Sequence, residues 1–383
     1  MDNRPLAGLV VLEFSQFMAG PTAGLRLADL GARVIKIERP GSGEGGRQIA
    51  IKNIFVDDSS LVFHTINRNK ESYAADLKNV EDLEAIRKLI AKADVITHNF
   101  RPGVMEKIGL DYANVRTLNP KIIYATVTGY GQEGPWAKKP GQDLLVQSMS
   151  GLTWLSGSDG DNPVPFGLAV IDMYCATHLT QGILAALLKR SRTQQAVLVE
   201  VSLLESALDM QFEVLTTYFN DGRQLPQRAK TRGGGHAYLS APYGVYKTRN
   251  GFLALAMGDL SKIASSIGLE GAHYMDRGTW FADRDRIMQE LGATFVGKDT
   301  DEWIVTLQAE GIWCAPVSDY REFLDGQGFA ESNMLQEIKL QDGTSLHTPR
   351  STYQIDGTYL YATKPAPKVG QDNEQIAKDF LKD

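Results

Sequence analysis

Asp172 stands directly before a helical run in which Ala176, Leu179, Ile183 and Leu187 mark an apolar stripe. An aspartate in that place reads first as a helix N-cap, its oxygen accepting free backbone N–H bonds. The same position keeps a carboxylate ionised and available as a nucleophile. The two readings are compatible. Further along, Gly233-Gly234-Gly235 precedes His236. No convincing strand leads into that triplet, so by itself it reads equally well as a linker.

Other chemistries leave little trace. Cys175 and Cys314 form no CxxC pair and no ligand cluster. That fits a reducing compartment and argues against a disulfide framework or a structural zinc site. Cys175, three residues after Asp172, reads as a small buried filler. His64, His98, His178, His273 and His347 have no ligand spacing, and five tryptophans are spread singly. No resident metal is expected.

The elements that would carry these residues alternate. Leu9 to Phe14 is a short apolar run and reads as a buried strand. A turn at Ala19-Gly20-Pro21 leads into a helix through Leu25, Leu27 and Leu30, stopped at Gly31. Val34 to Ile37 is the next strand. Val80 to Ala93 is amphipathic, with Leu83, Ile86, Leu89 and Ile90 at helical spacing. Val95-Ile96 and Ile122 to Val127 are further strands. Such alternation predicts a parallel sheet with helices on both faces.

From Asp172 to about Arg190 the chain reads as helix, then Val197 to Val201 as strand and Leu203 to about Tyr218 as helix. Gln224 to Lys230 reads as a polar, basic linker. Around Arg249-Asn250-Gly251, a good hairpin turn, the segments Tyr243 to Tyr246 and Phe252 to Ala256 read as paired strands. From about Glu337 we expect short strands and a terminal helix near Asn373 to Leu381.

A parallel sheet invites a dinucleotide site. Its first strand-to-helix turn would then carry GxGxxG. Met18-Ala19-Gly20-Pro21 stands there instead, and no GxxxxGK[ST] loop occurs. Length and charge narrow the class further. The 383 residues are comfortable for two domains. A net charge of −6, with scattered Lys and Arg, argues against nucleic acid as a partner. The start of the chain has no signal-peptide pattern, and no apolar run approaches a membrane span. We expect a cytoplasmic enzyme with no membrane partner.

Several segments in order resemble the class III CoA-transferase family, the CaiB/BaiF type that includes formyl-CoA transferase and the carnitine CoA-transferases. They begin with Gly8-Leu9-Val10-Val11-Leu12-Glu13 and Ala19-Gly20-Pro21. Leu30-Gly31-Ala32-Arg33-Val34-Ile35-Lys36-Ile37-Glu38-Arg39-Pro40-Gly41 follows, with Glu44, then Asn67-Arg68-Asn69-Lys70 and Asp76-Leu77-Lys78. Next come Asn99-Phe100-Arg101-Pro102-Gly103, Gly129-Tyr130-Gly131-Gln132-Glu133-Gly134-Pro135 and Gln147-Ser148-Met149-Ser150-Gly151. Asp172 before Gly182-Ile183-Leu184-Ala185-Ala186-Leu187, and Pro316-Val317, complete the set.

The resemblance implies an α/β fold: a Rossmann-like large domain with a parallel sheet plus a smaller α+β domain. It places the large domain at 1–222 and 331–383 and the small one, with its linkers, at 223–330. It also implies an interlocked homodimer. Asp172 would be the catalytic carboxylate, working through an aspartyl anhydride and an aspartyl-CoA thioester. Gly233, Gly234, Gly235 and His236 would supply oxyanion donors or a lid. CoA contacts would fall on Met18, Ala19, Arg39, Ala75, Asp76, Leu77, Lys78, Asn99, Phe100, Arg101 and Lys107, with Arg39 and Lys107 at phosphates. Read singly, those two cations are ordinary surface charges, and Asn99 a strand-end turn residue. No cofactor would be bound permanently. The CoA thioester is a substrate, and the partners are acyl-CoA and small organic carboxylates.

Gln142 and Asp143 are the pocket residues where the sequence departs from the pattern. Transferases of the family often carry Tyr before the acid, and the related acyl-CoA racemases carry His. Glutamine cannot exchange a proton, so Gln142 argues against racemisation. Acyl-CoA racemisation on the same fold is therefore the second reading. A non-catalytic CoA-binding protein is the third, and Asp172 with the glycine loop speaks against it.

Overall fold

The computed structural model describes residues 3–382. Val10–Glu13, Arg33–Glu38, Glu71–Ala74, Val95–His98, Ile123–Thr128 and Val197–Ser202 are strands β1 to β6. They form one parallel sheet in the order β3-β2-β1-β4-β5-β6. Every residue of β4 and of β5 is buried. Strands covered on both faces read as near-continuous apolar runs, which is why they stand out in the sequence.

Helix α1 (Ala19–Asp29) links β1 to β2, and α2 (Val80–Lys92) links β3 to β4. Asn79 caps α2, its side chain accepting from Glu81 N and Asp82 N. Ile86, Leu89 and Ile90 of α2 pack on Leu12, Ile35, Ile96 and Tyr124 of the sheet. The long helix α4 (Val170–Thr193) lies along α1 and against β5 and β6, and α3 (Asp143–Met149) precedes it. These findings agree with the expected Rossmann-like large domain. No helix of the described residues is long and apolar enough to cross a membrane.

Strand β3 was not anticipated, because Glu71-Ser72-Tyr73-Ala74 is short and partly polar. The far end of the chain shields its open edge. Ser72 N donates to Asp372 Oδ2 at 2.8 Å, and Ala74 N donates to Asn373 Oδ1 at 2.8 Å. Asn373 Nδ2 returns a bond to Ala74 O at 3.0 Å. An edge strand covered this way offers no free ladder to another chain.

The chain divides into two compact units. The first takes in the chain up to Val146, Ala169–Ala207 and the chain from Ser332 onward; the second is Gln147–Leu168 and Leu208–Glu331. Residues 147–168 and 208–222, expected within the large domain, fall in the second unit. That unit holds β7 (Gly244–Lys247), β8 (Phe252–Leu255) and β9 (Cys314–Pro316), antiparallel in the order β9-β8-β7. The hairpin turns at the expected Arg249-Asn250-Gly251. Asn250 Oδ1 also accepts from Thr300 N at 2.9 Å. Tyr246, Leu253, Ile287, Leu291, Phe295 and Trp303 build its core.

Two expectations need correction. The helix from Leu203 is broken at Gln211 into α5 (Leu203–Met210) and α6 (Phe212–Asn220). Gln224–Lys230 is not a free linker. Arg228 is buried, donates to Ser156 O at 2.9 Å and Asp161 O at 2.6 Å, and lies 5.3 Å from the Trp154 ring centroid. A cation is held here because carbonyls replace its lost hydration.

Candidate functional site

In an open parallel sheet, ligands bind outside the carboxyl ends of the strands, where the strand order reverses. Here that point lies between β1 and β4. The segments Gln16–Ala19, Arg39, Ala75–Lys78 and Asn99–Arg101 each follow the carboxyl end of a strand. The sheet therefore brings Met18, Ala19, Arg39, Ala75, Asp76, Leu77, Lys78, Asn99, Phe100 and Arg101 to one edge. Arg39, Lys78, Arg101 and Lys107 are exposed there or just beyond, Lys107 in the short helix after Arg101. Such cations suit phosphate oxygens.

Asn99 and Gln16 close the two sides of the switch point. Gln16 N donates to Asn99 Oδ1 at 2.8 Å, and Asn99 Nδ2 donates to Gln16 O at 2.6 Å. Next to them Phe17 takes a left-handed backbone, φ 66°, a conformation a bulky side chain rarely adopts. Its N–H is held by Glu44 Oε2 at 3.1 Å. Local strain of this kind is kept where the surroundings over-determine it.

Those surroundings include a buried charge network the sequence reading missed. Lys36 and Lys70 both contact the Glu13 carboxylate, at 3.0 and 2.8 Å, and all three side chains are wholly buried. Lys36 also donates to Ser15 O at 2.8 Å, and Lys70 to Pro21 O at 2.7 Å. The two ammonium groups thus brace both sides of the β1–α1 turn. Burial lowers the Lys36 pKa, but Glu13, Glu44 and Glu38 together outweigh it and hold the group above its usual range. For Lys70 burial wins over the attraction of Glu13, with Lys36 adding repulsion, and its pKa falls to about 8. The local signal was Lys36 itself, a charge set inside the apolar run Val34-Ile35-Lys36-Ile37; the fold also leaves no room at Gly24, where a side chain would collide with the Glu13 carboxylate.

Asp172 occupies the first turn of α4 and is not its cap. The cap position is Ala169, which has no side-chain bond to offer. Asp143 does that work from a distance. Its Oδ2 accepts from Ile171 N at 2.8 Å and from Asp172 N at 3.0 Å. This corrects the expectation that the helix N-terminus keeps Asp172 ionised. The free amides go to Asp143, while burial and then the Asp143 charge push the Asp172 pKa up to about 7. Of the two pocket residues, Asp143 is buried and Gln142 is exposed.

Asp143 is placed by a backbone contact. Gly129, just past β5, and Gly141 approach so closely that a Cβ on Gly129 would lie 2.6 Å from Gly141 Cα. Only glycine allows this approach, which returns the 130–140 loop to the sheet edge two residues before Asp143. One turn beyond Asp172, the Cys175 thiol is buried and its pKa is pushed up to about 12, chiefly by burial. It stays protonated and is no nucleophile.

Gly233, Gly234, Gly235 and His236 belong to the second unit. The triplet is tied to the start of β7, with a bridge between Gly234 and Gly244 and a bond from Val245 N to Gly233 O at 2.7 Å. His236 Nδ1 accepts from Tyr238 N at 3.1 Å, so its Nε2 carries the proton toward Glu213 Oε1 at 3.2 Å. A separate cavity of about 480 Å³, lined by Arg47, Asp57, Asp58, His64 and Lys368 among others, contains none of the expected site residues.

The Rossmann-ordered sheet, with a half-buried carboxylate on the first turn of a helix, defines an α/β protein with a candidate catalytic carboxylate at Asp172. The family model for CoA-transferase family III matches residues 6–373. The succinate–glutarate CoA-transferase of Agrobacterium fabrum is 31% identical over 397 residues, covering 99% of this chain and 97% of that one. The acetyl-CoA:oxalate CoA-transferase of Acetobacter aceti is 30% identical, covering 98% and 96%. Among solved structures, a CaiB/BaiF family protein from Brucella suis has a TM-score of 0.84 at 27% identity, covering 99% of this chain and 100% of that one. The Mycobacterium tuberculosis protein Rv3272 has a TM-score of 0.84 at 30% identity, covering 97% and 98%. The chain belongs to CoA-transferase family III, as its ordered motifs implied.

Proposed function

We propose that this enzyme moves CoA from an acyl-CoA donor to a free carboxylic acid through covalent intermediates on Asp172. The observation that carries this reading is the Asp172 carboxyl itself: half-buried, on the first turn of α4, and with a pKa of about 7. At neutral pH about half of it is ionised, and a more basic carboxylate is a better nucleophile once ionised.

The ionised Asp172 oxygen attacks the thioester carbonyl carbon. The C–S bond breaks, CoA leaves as thiolate, and a mixed aspartyl–acyl anhydride remains. The thiolate then attacks the aspartyl carbonyl, releasing the donor acid as carboxylate and leaving an aspartyl-CoA thioester. The acceptor carboxylate attacks that thioester and expels thiolate again. Attack of the thiolate on the acceptor's acyl carbon yields the new CoA ester and returns the aspartate. Each step exchanges one activated acyl group for another, so the cycle needs no ATP.

An oxyanion forms at every step and requires N–H donors. The family likeness supports the Gly233–Gly235 loop in that role; Gly234→Ala, whose Cβ would meet Ala229 Cβ at 2.6 Å, tests the loop's placement through a fall in kcat. Exposed Arg39 and Lys107 are proposed to meet the CoA phosphates. Two relatives are named for succinate and glutarate and for acetyl-CoA and oxalate. We accordingly propose small dicarboxylates as the first substrates to try. A homodimer is part of the same reading, supported by exposed Ile49, Ile51, Ile54 and Phe55 on one short segment. Sedimentation of the purified protein tests it.

The deciding experiment incubates the protein with a panel of acyl-CoAs and free acids and reads new CoA esters by mass spectrometry, beside Asp172→Ala. New thioesters that require an acceptor and vanish in the variant support the proposal. No exchange with any pair, while CoA still binds, refutes it for that panel.

A further inference from the structure

We infer that Asp143 is a positioning residue for the reaction: its carboxylate caps α4 from outside and so fixes the placement and charge state of Asp172. The inference rests on the reading of Asp172 as the nucleophile and adds a residue that acts only through it.

The geometry has three parts. First, α4 has no cap of its own, since Ala169 offers no side-chain acceptor. A helix of 24 residues that begins without one leaves first-turn amides in need of acceptors. Second, a single Asp143 oxygen takes the amides of both Ile171 and Asp172. One of those two amides belongs to the proposed nucleophile itself, so any movement of Asp143 reaches the Asp172 backbone directly. Third, Asp143 is fixed from behind. The Gly129–Gly141 approach anchors the chain two residues before it, and Leu204 N adds a bond to Gly129 O at 3.0 Å.

Aspartate and asparagine cap a helix about equally well, so the two amides alone do not distinguish them. What the charge adds is repulsion of a second anion, on the residue whose own amide Asp143 accepts. The other titratable groups around Asp172 are arranged differently. Along α4, Cys175 is a neutral thiol and His178 Nδ1 is engaged with Ser206 Oγ at 3.0 Å. Glu205 of α5 shares a bond with Ser202 Oγ at 2.7 Å. The first turn of α1 carries no acid, β5 has no charged residue, and Glu200 of β6 is exposed. Arg26 and Asp29 sit in the last turn of α1. Asp143 is thus the charge set directly against Asp172, and the Asp172 pKa follows from burial and from that charge.

The test compares wild type with Asp143→Asn, Asp143→Ala and Asp172→Ala, using acetyl-CoA, succinyl-CoA and free dicarboxylates. Asn keeps an oxygen for the two amides and removes the charge; Ala removes both. The pH dependence of kcat/KM and the titration of the Asp172 carboxyl by carbon NMR are both read. Asp143→Asn is expected to lower the midpoint of the acid limb, and the NMR pKa, by about one pH unit or more. Its plateau should exceed that of Asp143→Ala, which is expected to lose kcat at every pH with KM for the CoA ester little changed. Thermal unfolding of each variant checks the fold. An Asn variant with the wild-type limb and wild-type carboxyl pKa overturns the inference while leaving Asp172 as nucleophile. Full exchange activity in Asp172→Ala instead overturns the reading beneath it.

Discussion

Asn99 and Gln16 hold each other by a reciprocal pair of bonds, side-chain oxygen to backbone N–H at 2.8 Å and side-chain N–H to backbone carbonyl at 2.6 Å. The pair ties the end of β4 to the end of β1 across the point where the strand order reverses. It also fixes the residue just before the left-handed Phe17. Removing it should loosen the edge on which CoA is proposed to sit.

Asn99→Ala is therefore expected to raise KM for the acyl-CoA by about tenfold, with a smaller effect on kcat. That corresponds to the roughly 1–3 kcal/mol lost when buried polar groups go unpaired. Steady-state kinetics against the acyl-CoA at saturating acceptor check it. An unchanged KM would remove Asn99 from the CoA edge.

For Asp172 the sign of the pH effect on rate is fixed by which form reacts. Only the carboxylate attacks, so kcat/KM should rise as pH increases through about 7 and level off above it. Asp172→Asn should lose at least about a thousandfold in exchange rate, the scale of removing a nucleophile. Initial rates from pH 5 to 9 give both results.

The same carboxyl influences stability in the opposite direction. Its folded pKa, about 7, lies above the ordinary 3.8, so the native state binds the proton more tightly than the unfolded chain. Stability contributed below the unfolded pKa is lost as pH rises through the folded one, at most on the order of 4 kcal/mol. Asp172→Asn should then be more stable than wild type at pH 8 and close to it at pH 4. Urea unfolding at the two pH values measures this; equal differences at both would contradict it.

Gly24 and Glu13 form a second testable pair. A methyl group at Gly24 collides with the Glu13 carboxylate, which is paired with two wholly buried lysines, Lys36 being shared with Glu44. Gly24→Ala and Glu13→Gln should each destabilise the fold by about 3–5 kcal/mol, because both strand buried ammonium groups. Denaturant midpoints provide the measurement. Exposed Lys78, by comparison, should cost under about 0.5 kcal/mol on substitution by Ala.

Much of this protein is written locally. The apolar runs of β1, β2, β4 and β5, the stripe of α2 and the Asn250-Gly251 turn each depend on residues within a few positions of one another. Backbone sterics and side-chain period act over that range, so these elements are legible without any tertiary knowledge. The segments after the strand ends were legible through family likeness, and parallel topology explains why they share an edge.

Other features were decided only when distant parts of the chain met. Asp143 lies 29 positions from the Asp172 amide it accepts, and Glu13 lies 57 positions from Lys70. Strand β3 is shielded by residues 300 positions away. Each of these residues, read singly, is an ordinary surface charge or a short polar segment. Asp172 itself was placed correctly in the sequence as a residue at the start of a helix, and its pKa, expected to be held low there, is instead raised. Local position proposes a carboxylate near helix amides. Whether those amides serve it, or a second aspartate brought in from another helix, depends on packing. Electrostatic energy follows distance in space and exclusion of water, and chain order specifies neither until the fold is complete.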